Sequence, residues 1–413
     1  MSPEGSRRQL ILSALAVVST ANAWRALARR SFLALPGAVS GMRSDLPLHV
    51  LGASGARLAW AGARGRLRGR DGALAVALAG VAGAGLLALN RSLKQTRPIL
   101  DRALDEALGP ASAAKEPGVE VDVPPGIVRV LRSHHTDAGT RNVEYGPHGW
   151  SNRLDVWRRP DLPADAGAPV LLQIPGGAWI FGYKQGQAYP LLHHFVERGW
   201  VCVSMSYRVA PWNPWPAQIV DVKRAIAWVK ANIADHGGDP EFVALTGGSA
   251  GGHLTALAAL SAGDAAYQPG FEDLDTAVRA AVPFYGVYDW VDEGGAGSRM
   301  LDMHLERTVV RSPRAAQVDV YRAASPVARA HADAPPFFVL HGDNDPWAPV
   351  EQARALVAAL RAVSRQPVAY AELPHAMHAF DVLAGVRANE CARAVERFLD
   401  AVRARSAPQP TGG

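Results

Sequence analysis

Phe242-Val243-Ala244-Leu245-Thr246-Gly247-Gly248-Ser249-Ala250-Gly251 is the stretch on which the fold turns. An apolar run leads into a serine flanked by glycines, and the helix-forming stretch from Leu254 to Leu260 follows, so strand, tight turn and helix are written around one side chain. A turn of this kind lifts its serine above the end of a sheet in a strained backbone conformation, while small neighbours let the next helix approach the strand. A bare Gly-x-Ser-x-Gly string also arises by chance in glycine-rich chains, so the rest of the sequence has to support the reading.

A hydroxyl is a poor nucleophile until a base removes its proton, so Ser249 calls for a histidine near the end of the chain and a carboxylate in between. Pro336-Phe337-Phe338-Val339-Leu340 reads as a buried strand that empties into His341-Gly342-Asp343-Asn344-Asp345-Pro346. Asp345, the third residue after Gly342, stands where a carboxylate can bend back to orient an imidazole, with Asp343 as the alternative. Val368 to Leu373 reads as the next strand and runs into Pro374-His375-Ala376-Met377-His378-Ala379-Phe380. His378 is favoured as the base because it lies deeper in the loop, with Phe380 available to pin the backbone. His375, directly after a proline at the strand end, is the alternative.

Acyl transfer places negative charge on the former carbonyl oxygen, which needs preorganised N–H donors. Ala250 is expected to supply one. The others are expected from the loop after an earlier strand, where Val170-Leu171-Leu172-Gln173-Ile174 leads into Pro175-Gly176-Gly177-Ala178-Trp179.

These segments together resemble the hormone-sensitive-lipase-like esterases of the α/β-hydrolase fold over residues 125 to 404. The resemblance rests on Pro175 to Trp179, Asp239-Pro240, Gly248-Ser249-Ala250-Gly251-Gly252, the Asp345 loop and His378-Ala379-Phe380. It implies a mostly parallel central sheet covered by helices on both faces, a Ser249-His378-Asp345 triad, and an oxyanion hole from Gly177, Ala178 and Ala250. Two positions depart from the family, with Pro175 where it has histidine and Ala178 where it has glycine. The string from Gly176 to Lys184 also resembles membrane-bound prenylcysteine methylesterases, and the chain as a whole resembles actinobacterial lipase/esterase proteins with a hydrophobic N-terminal region. The implied reaction is hydrolysis of short to medium acyl or lipid-like esters. Alternatives are a prenylcysteine methylesterase, an aryl-formamidase-like amidase, or a catalytically silent membrane scaffold. Trp179, Trp212, Trp215, Tyr285 and Trp347 fall in loops expected to border the site and to form an apolar pocket.

Charge divides the 413 residues unevenly. The chain carries a formal net charge of +5, yet residues 1–100 alone hold 14 Arg and Lys against 3 Asp and Glu, so the remainder is net acidic. That first region also contains two apolar runs, Leu10 to Val18 and Ala73 to Leu89. The second is about long enough to cross a thin bilayer, with a buried helical hairpin as the alternative. Arginines cluster between the runs, at Arg64, Arg66, Arg68 and Arg70, and suit anionic lipid headgroups. No aromatic platform accompanies them, so nucleic acid is not expected as a partner. The positive-inside rule puts these arginines in the cytoplasm and the hydrolase outside, at the cell envelope. Ala21-Asn22-Ala23 resembles a signal-peptidase site, but similar esterases keep such a region.

The expected organisation is therefore a membrane-associating region over 1–100, a linker over 101–124, the catalytic domain over 125–404 and a disordered tail over 405–413. Within the catalytic domain, strands are expected at Ile127 to Leu131, Asn152 to Trp157, Val201 to Ser206 and Ala280 to Tyr285. Pro216 to Ile233 reads as an amphipathic helix, because Ile219, Val222, Ile226, Val229 and Ile233 share one face. Trp290 to Asp333 reads as an insertion over the site. Cys202 and Cys391 are expected in the core, with no disulfide framework, no metal set and no cofactor.

Overall fold

A parallel sheet covered on both sides needs strands that are apolar on both faces, and β3 (Ala168–Ile174) and β4 (Val201–Met205) are buried at every residue. The computed structural model describes residues 4–26, 36–109, 138–295 and 297–406. Its sheet has eight strands in the order β1-β2-β4-β3-β5-β6-β7-β8. The others are β1 (Ala138–Glu144), β2 (Arg153–Trp157), β5 (Gly238–Gly248), β6 (Ala280–Phe284), β7 (Phe337–Gly342) and β8 (Val368–Leu373). β2 runs antiparallel to both β1 and β4, and every other pairing is parallel. The strand expected at 127–131 lies outside the described residues. β1 has no apolar alternation to announce it; as an edge strand with register shifts it asks little of its side chains.

Helices cover both faces. Five of them are α6 (Tyr189–Glu197), α7 (Ala217–Asn232), α8 (Ala250–Ala259), α11 (Glu351–Val363) and α12 (Val386–Ser406). Val170, Leu172 and Ile174 pack with Ile219, Val222 and Ile226 of α7 and Leu254 and Leu257 of α8. Leu171 and Cys202 point the other way, into a cluster with Leu192 and Phe195 of α6 and Cys391, Val395, Phe398 and Leu399 of α12. Both cysteines are free and buried. The insertion between β6 and β7 carries the short helices α9 (Arg299–His304) and α10 (Val318–Ala323).

The described residues of the first hundred form a helical layer: α1 (Glu4–Trp24), α2 (Pro36–Asp45), α3 (Pro47–Ala63) and α4 (Gly69–Leu93). The two apolar runs sit inside α1 and α4. These helices lie side by side in parallel, because the Arg68 N–H donates to Ser6 Oγ at 3.3 Å and Trp24 Nε1 donates to the Gly85 carbonyl at 3.3 Å. α3 runs back along α4, with Leu67 against Gly62 and Leu51 against Gly83. Arg64, Arg66, Arg68 and Arg70 therefore gather at one end of the bundle. Ser6 to Trp24 spans about 27 Å at 1.5 Å per helical residue, and Trp24 marks the opposite end.

One expected boundary is moved. The linker placed from residue 101 is instead helix α5 (Thr96–Leu108), whose Leu100, Ala103, Leu104 and Leu108 enter the same cluster as α12. Its apolar spacing of three to four residues is the signal that the high content of Asp, Glu and Arg obscured. Of the tail, Arg405 and Ser406 complete α12 and the rest lies outside the described residues.

Candidate active site

Ser249 occupies the turn between β5 and α8 with φ 59° and ψ −123°. A non-glycine residue holds such a backbone only when its surroundings over-determine it. Here the Ser249 N–H donates to the Phe284 carbonyl at 3.0 Å and the Ser249 carbonyl accepts from His253 N–H at 3.0 Å. The close approach of helix to strand explains the glycines: a Cβ on Gly251 would stand 2.1 Å from the Ile174 carbonyl oxygen.

The chain brings the three expected side chains together. His378 Nε2 lies 2.8 Å from Ser249 Oγ, and His378 Nδ1 lies 2.6 Å from Asp345 Oδ2. A carboxylate only accepts, so Nδ1 carries the proton and Nε2 is left to accept from the serine hydroxyl. Asp345 is held in turn through its other oxygen, which accepts from the Trp347 and Ala348 N–H groups at 2.8 and 2.9 Å. The alternatives have other positions. Asp343 Oδ1 accepts from the His375 N–H at 2.7 Å, and His375 Nδ1 lies 3.0 Å from the Trp24 carbonyl oxygen, so both sit in the loop scaffold.

Tyr285 packs its ring 4.8 Å from the His378 ring and 5.2 Å from Phe380, and its hydroxyl donates to Asp381. Burial raises the Asp381 carboxyl above its ordinary range. This pair backs the base from behind. Asp381 lacks a motif and escaped sequence reading; only the spatial return of its loop to β6 connects it to Tyr285.

The loop after β3 carries Gly177 at φ 120°, Ala178 at 51° and Trp179 at 60°. Two consecutive non-glycine residues in the left-handed region are costly, and a set of bonds holds them. Gln187 brackets Gly176, accepting from its N–H at 2.7 Å and donating to its carbonyl at 3.3 Å. Tyr207 donates to the Pro175 carbonyl at 2.9 Å. His304 Nε2 donates to the Ala178 carbonyl at 2.8 Å, and Ala210 N–H donates to that of Trp179 at 2.9 Å. These bonds hold the loop with Ala178 in the left-handed region, and Tyr207 fixes the carbonyl of Pro175. Gly176 has no room for a side chain, because its Cβ would fall 2.5 Å from the Gly248 carbonyl oxygen. Ala250, first residue of α8, belongs to the turn whose N–H groups lack partners four residues back.

His253, one turn into α8, was not singled out by any motif. It is buried, stacked 4.6 Å from Trp290, and burial lowers it to about 3, so it is neutral. Its Nε2 donates to the Ala324 carbonyl at 2.7 Å, which leaves Nδ1 to accept from Trp179 Nε1 at 3.2 Å. His253 thus ties the elbow helix, the β3 loop and the insertion together.

Four of the five aromatic residues expected to border the site separate into groups. Trp179 and Tyr285 are buried at 2% and 3% exposure with their polar atoms engaged, so they correct the expectation: both are structural supports for their loops. Trp212 is 79% exposed. Trp347 is 49% exposed and its ring stands 5.3 Å from His378, which makes it the one of the four with an accessible face beside the base. Trp215 is also buried, packed 4.8 Å from Trp290.

The β7 and β8 loops that carry Asp345 and His378 also receive the N-terminal layer. Asn344 Nδ2 donates to the carbonyls of Asn22 and Ala23, each at 3.0 Å, and Ser44 Oγ donates to the His375 carbonyl at 2.6 Å. Arg387 of α12 pairs with Asp45 and donates to the Pro374 carbonyl at 3.1 Å.

Known proteins resemble this chain in sequence and in fold. Residues 154–360 match the BD-FAE family. The chain is 49% identical over 403 residues to the probable carboxylic ester hydrolase LipM of Mycobacterium tuberculosis, covering 96% of this chain and 93% of that one. It is 45% identical over 313 residues to esterase LipC of the same organism, covering 76% and 77% respectively. Among solved structures, a Thermogutta terrifontis esterase superposes with a TM-score of 0.54 over 67% of this chain and 95% of its own, at 23% identity, a likeness of fold. The chain belongs to the BD-FAE family of α/β-hydrolases and, within it, to the carboxylic ester hydrolases. It is a serine hydrolase of the carboxylesterase class.

Proposed function

We propose that the protein hydrolyses short to medium acyl or lipid-like esters at a membrane surface, through an acyl-enzyme on Ser249. The observation that carries the reading is the hydrogen-bonded chain Ser249 Oγ, His378 Nε2, His378 Nδ1, Asp345 Oδ2, with links of 2.8 and 2.6 Å. His378 takes the hydroxyl proton as Ser249 Oγ attacks the ester carbonyl, and the oxyanion is received by N–H groups of Gly177, Ala178 and Ala250. Collapse of the tetrahedral species breaks the bond to the alcohol, which leaves with the proton held by His378. Water, deprotonated by the same imidazole, then attacks the acyl-enzyme and releases the acid and Ser249. Trp347 offers an apolar face to the acyl or alcohol group.

The membrane part of the proposal rests on packing. α1 buries Ser6, Gln9, Ser13, Ala16, Thr20 and Ala23 while Ile11, Leu12, Leu15 and Val18 are exposed. α4 buries Gly72, Ala75, Ala82 and Gly83, with Leu86, Leu89 and Leu93 buried only toward its C-terminal end, and exposes Leu74, Val76, Val81 and Leu87. Small residues between helices with large apolar ones outside is the pattern of helices solvated by lipid. Among the described residues, Gly69–Leu108 is the helical stretch long and apolar enough to cross a membrane. At the tip of the bundle the Arg64 and Arg66 guanidinium groups stand 5.2 and 4.9 Å from the half-exposed Trp60 ring, an interfacial pairing of basic and aromatic groups. This favours cytoplasmic arginines and an extracytoplasmic hydrolase.

The decisive experiment is activity profiling across acyl lengths, methyl esters and formamides, with a fluorophosphonate probe on wild type and Ser249→Ala. Ser249-dependent labelling together with acyl ester turnover is the expected result, and labelling absent from both proteins overturns the reading.

A further inference from the structure

The C-terminal end of a helix leaves carbonyl groups without intrahelical partners. In α1 three of these, on Asn22, Ala23 and Trp24, are taken up by side chains from the two loops of the candidate triad. Asn344 Nδ2 donates to the Asn22 and Ala23 carbonyls at 3.0 Å each, and its Oδ1 accepts from the Ala26 N–H. His375 Nδ1 donates to the Trp24 carbonyl at 3.0 Å, and its ring stands 4.4 Å from the Trp24 indole. Asn344 is the neighbour of Asp345 and is buried at 2% exposure; His375 lies three residues before His378.

We infer that Asn344 and His375 are positioning residues through which the N-terminal helical layer sets the distance between Asp345 and His378. The inference rests on the triad reading above. Three observations point to positioning rather than mere attachment. First, the two loops are tied to each other at the same place: Asp343 Oδ1 accepts the His375 N–H at 2.7 Å and Asn344 N–H donates to the Ala376 carbonyl at 3.2 Å. Second, both ends of the base loop depart from ordinary backbone, with His375 at φ 55° and Ala379 at 63°, so the loop needs outside bonds to hold its path. Third, α2 grips the same loop independently, by Ser44 Oγ on the His375 carbonyl and by Asp45 on Arg387, which in turn donates to the Pro374 carbonyl. The layer reaches Asn344, His375 and Arg387, but none of these bonds involves Asp345 or His378 directly. Its effect on catalysis therefore passes through loop geometry.

The test uses the full-length protein in detergent with a soluble short-chain p-nitrophenyl ester. Asn344→Ala removes two bonds to α1 and one to Ala26 just beyond it; His375→Phe keeps the ring against Trp24 but loses the donor, and His375→Gln restores one. Ser13→Ala, on the same helix but far from the loops, is the control. Misplacing a reacting group by about 1 Å costs on the order of a hundredfold in rate, so kcat is expected to fall about tenfold or more in Asn344→Ala and His375→Phe. KM should stay within about twofold, His375→Gln should recover most of the loss and Ser13→Ala should match wild type. Circular dichroism at the assay temperature establishes that each variant is folded. Folded Asn344→Ala and His375→Phe with wild-type kcat would overturn the inference while leaving the triad intact. Wild type without Ser249-dependent labelling would instead sink the triad reading, so the two failures are distinguishable.

Discussion

The hydrolase and the N-terminal layer solve the same packing problem in opposite senses. In the hydrolase, Leu171, Leu172, Val203 and Val339 are fully buried, and the buried charges of Lys184 and Asp155 are paired at 2.6 Å. In the layer, Ser13 and Thr20 of α1 are buried while Ile11, Leu15 and Val18 stay outside. Water drives apolar surface inward in the first case. The second arrangement is stable where the surroundings are themselves apolar, because helices there associate by close approach and hydrogen bonding. On the proposed membrane placement, two adjacent parts of one chain are written for two solvents, and α5 and the loops around Asn344 and His375 are where they join.

The sharpest way to separate the two regions is to strike the site. Ser249→Ala should lower ester hydrolysis by about 10⁴-fold or more, leave the proposed membrane association of the layer untouched, and abolish fluorophosphonate labelling. Asp345→Asn should cost about 10³-fold or more in kcat while Asp343→Asn costs far less, since only Asp345 touches the imidazole; equal losses in steady-state assays would reassign the acid. Leu104→Ala tests where the hydrolase begins. Leu104 is fully buried with α12, so unfolding in denaturant should show a loss of about 2–5 kcal/mol; a loss below 1 kcal/mol would return α5 to the linker. Ile11→Ser combined with Leu15→Ser should leave kcat on a soluble ester unchanged and ease release of the protein by carbonate from membranes, whereas a soluble bundle would show no change in partition.

The smallest effect concerns a buried cation in the hydrolase. Lys223 is fully buried between the Ser261 carbonyl and Thr276 Oγ1, and burial lowers it to about 7. An amine depressed in the folded state costs stability as pH falls from its ordinary value near 10.5 toward 7, and the cost levels off below that. Lys223→Met should therefore gain thermal stability relative to wild type, by more at pH 7 than at pH 10; a gain independent of pH in melting curves would refute the buried-amine account.

Much of the hydrolase was readable from the chain because strands buried on both faces must be continuously apolar. Val368 to Leu373 was placed to the residue, and Pro216 to Ile233 to within one at each end, by spacing alone. β1 escaped because an edge strand with one partner bears no such requirement, and α5 because its acidic and basic residues hid an apolar face of four positions. At the site, the meeting of Ser249, Asp345 and His378 was legible because the proposed chemistry fixes their order along the chain. Trp179 and Tyr285 were misread as pocket walls because a sequence does not say which side of a loop faces the core. His253, His304 and Asp381 left no local signal, since each acts on a residue at least 70 positions distant.

The sequence by itself set out a serine turn between strand and helix, a candidate acid and base with one alternative each, the alternation of strand and helix, and a basic, apolar first hundred residues. Those properties are local, set by backbone preference, by hydrophobic period and by the type of side chain the chemistry requires. Only the tertiary structure decided that Asp345 and His378 close on Ser249, that α1 turns its polar face inward, and that Asn344 and His375 cap the end of α1. Each of these depends on segments up to about 350 residues apart meeting at atomic distance, and side-chain partners at that separation are chosen by the packed fold.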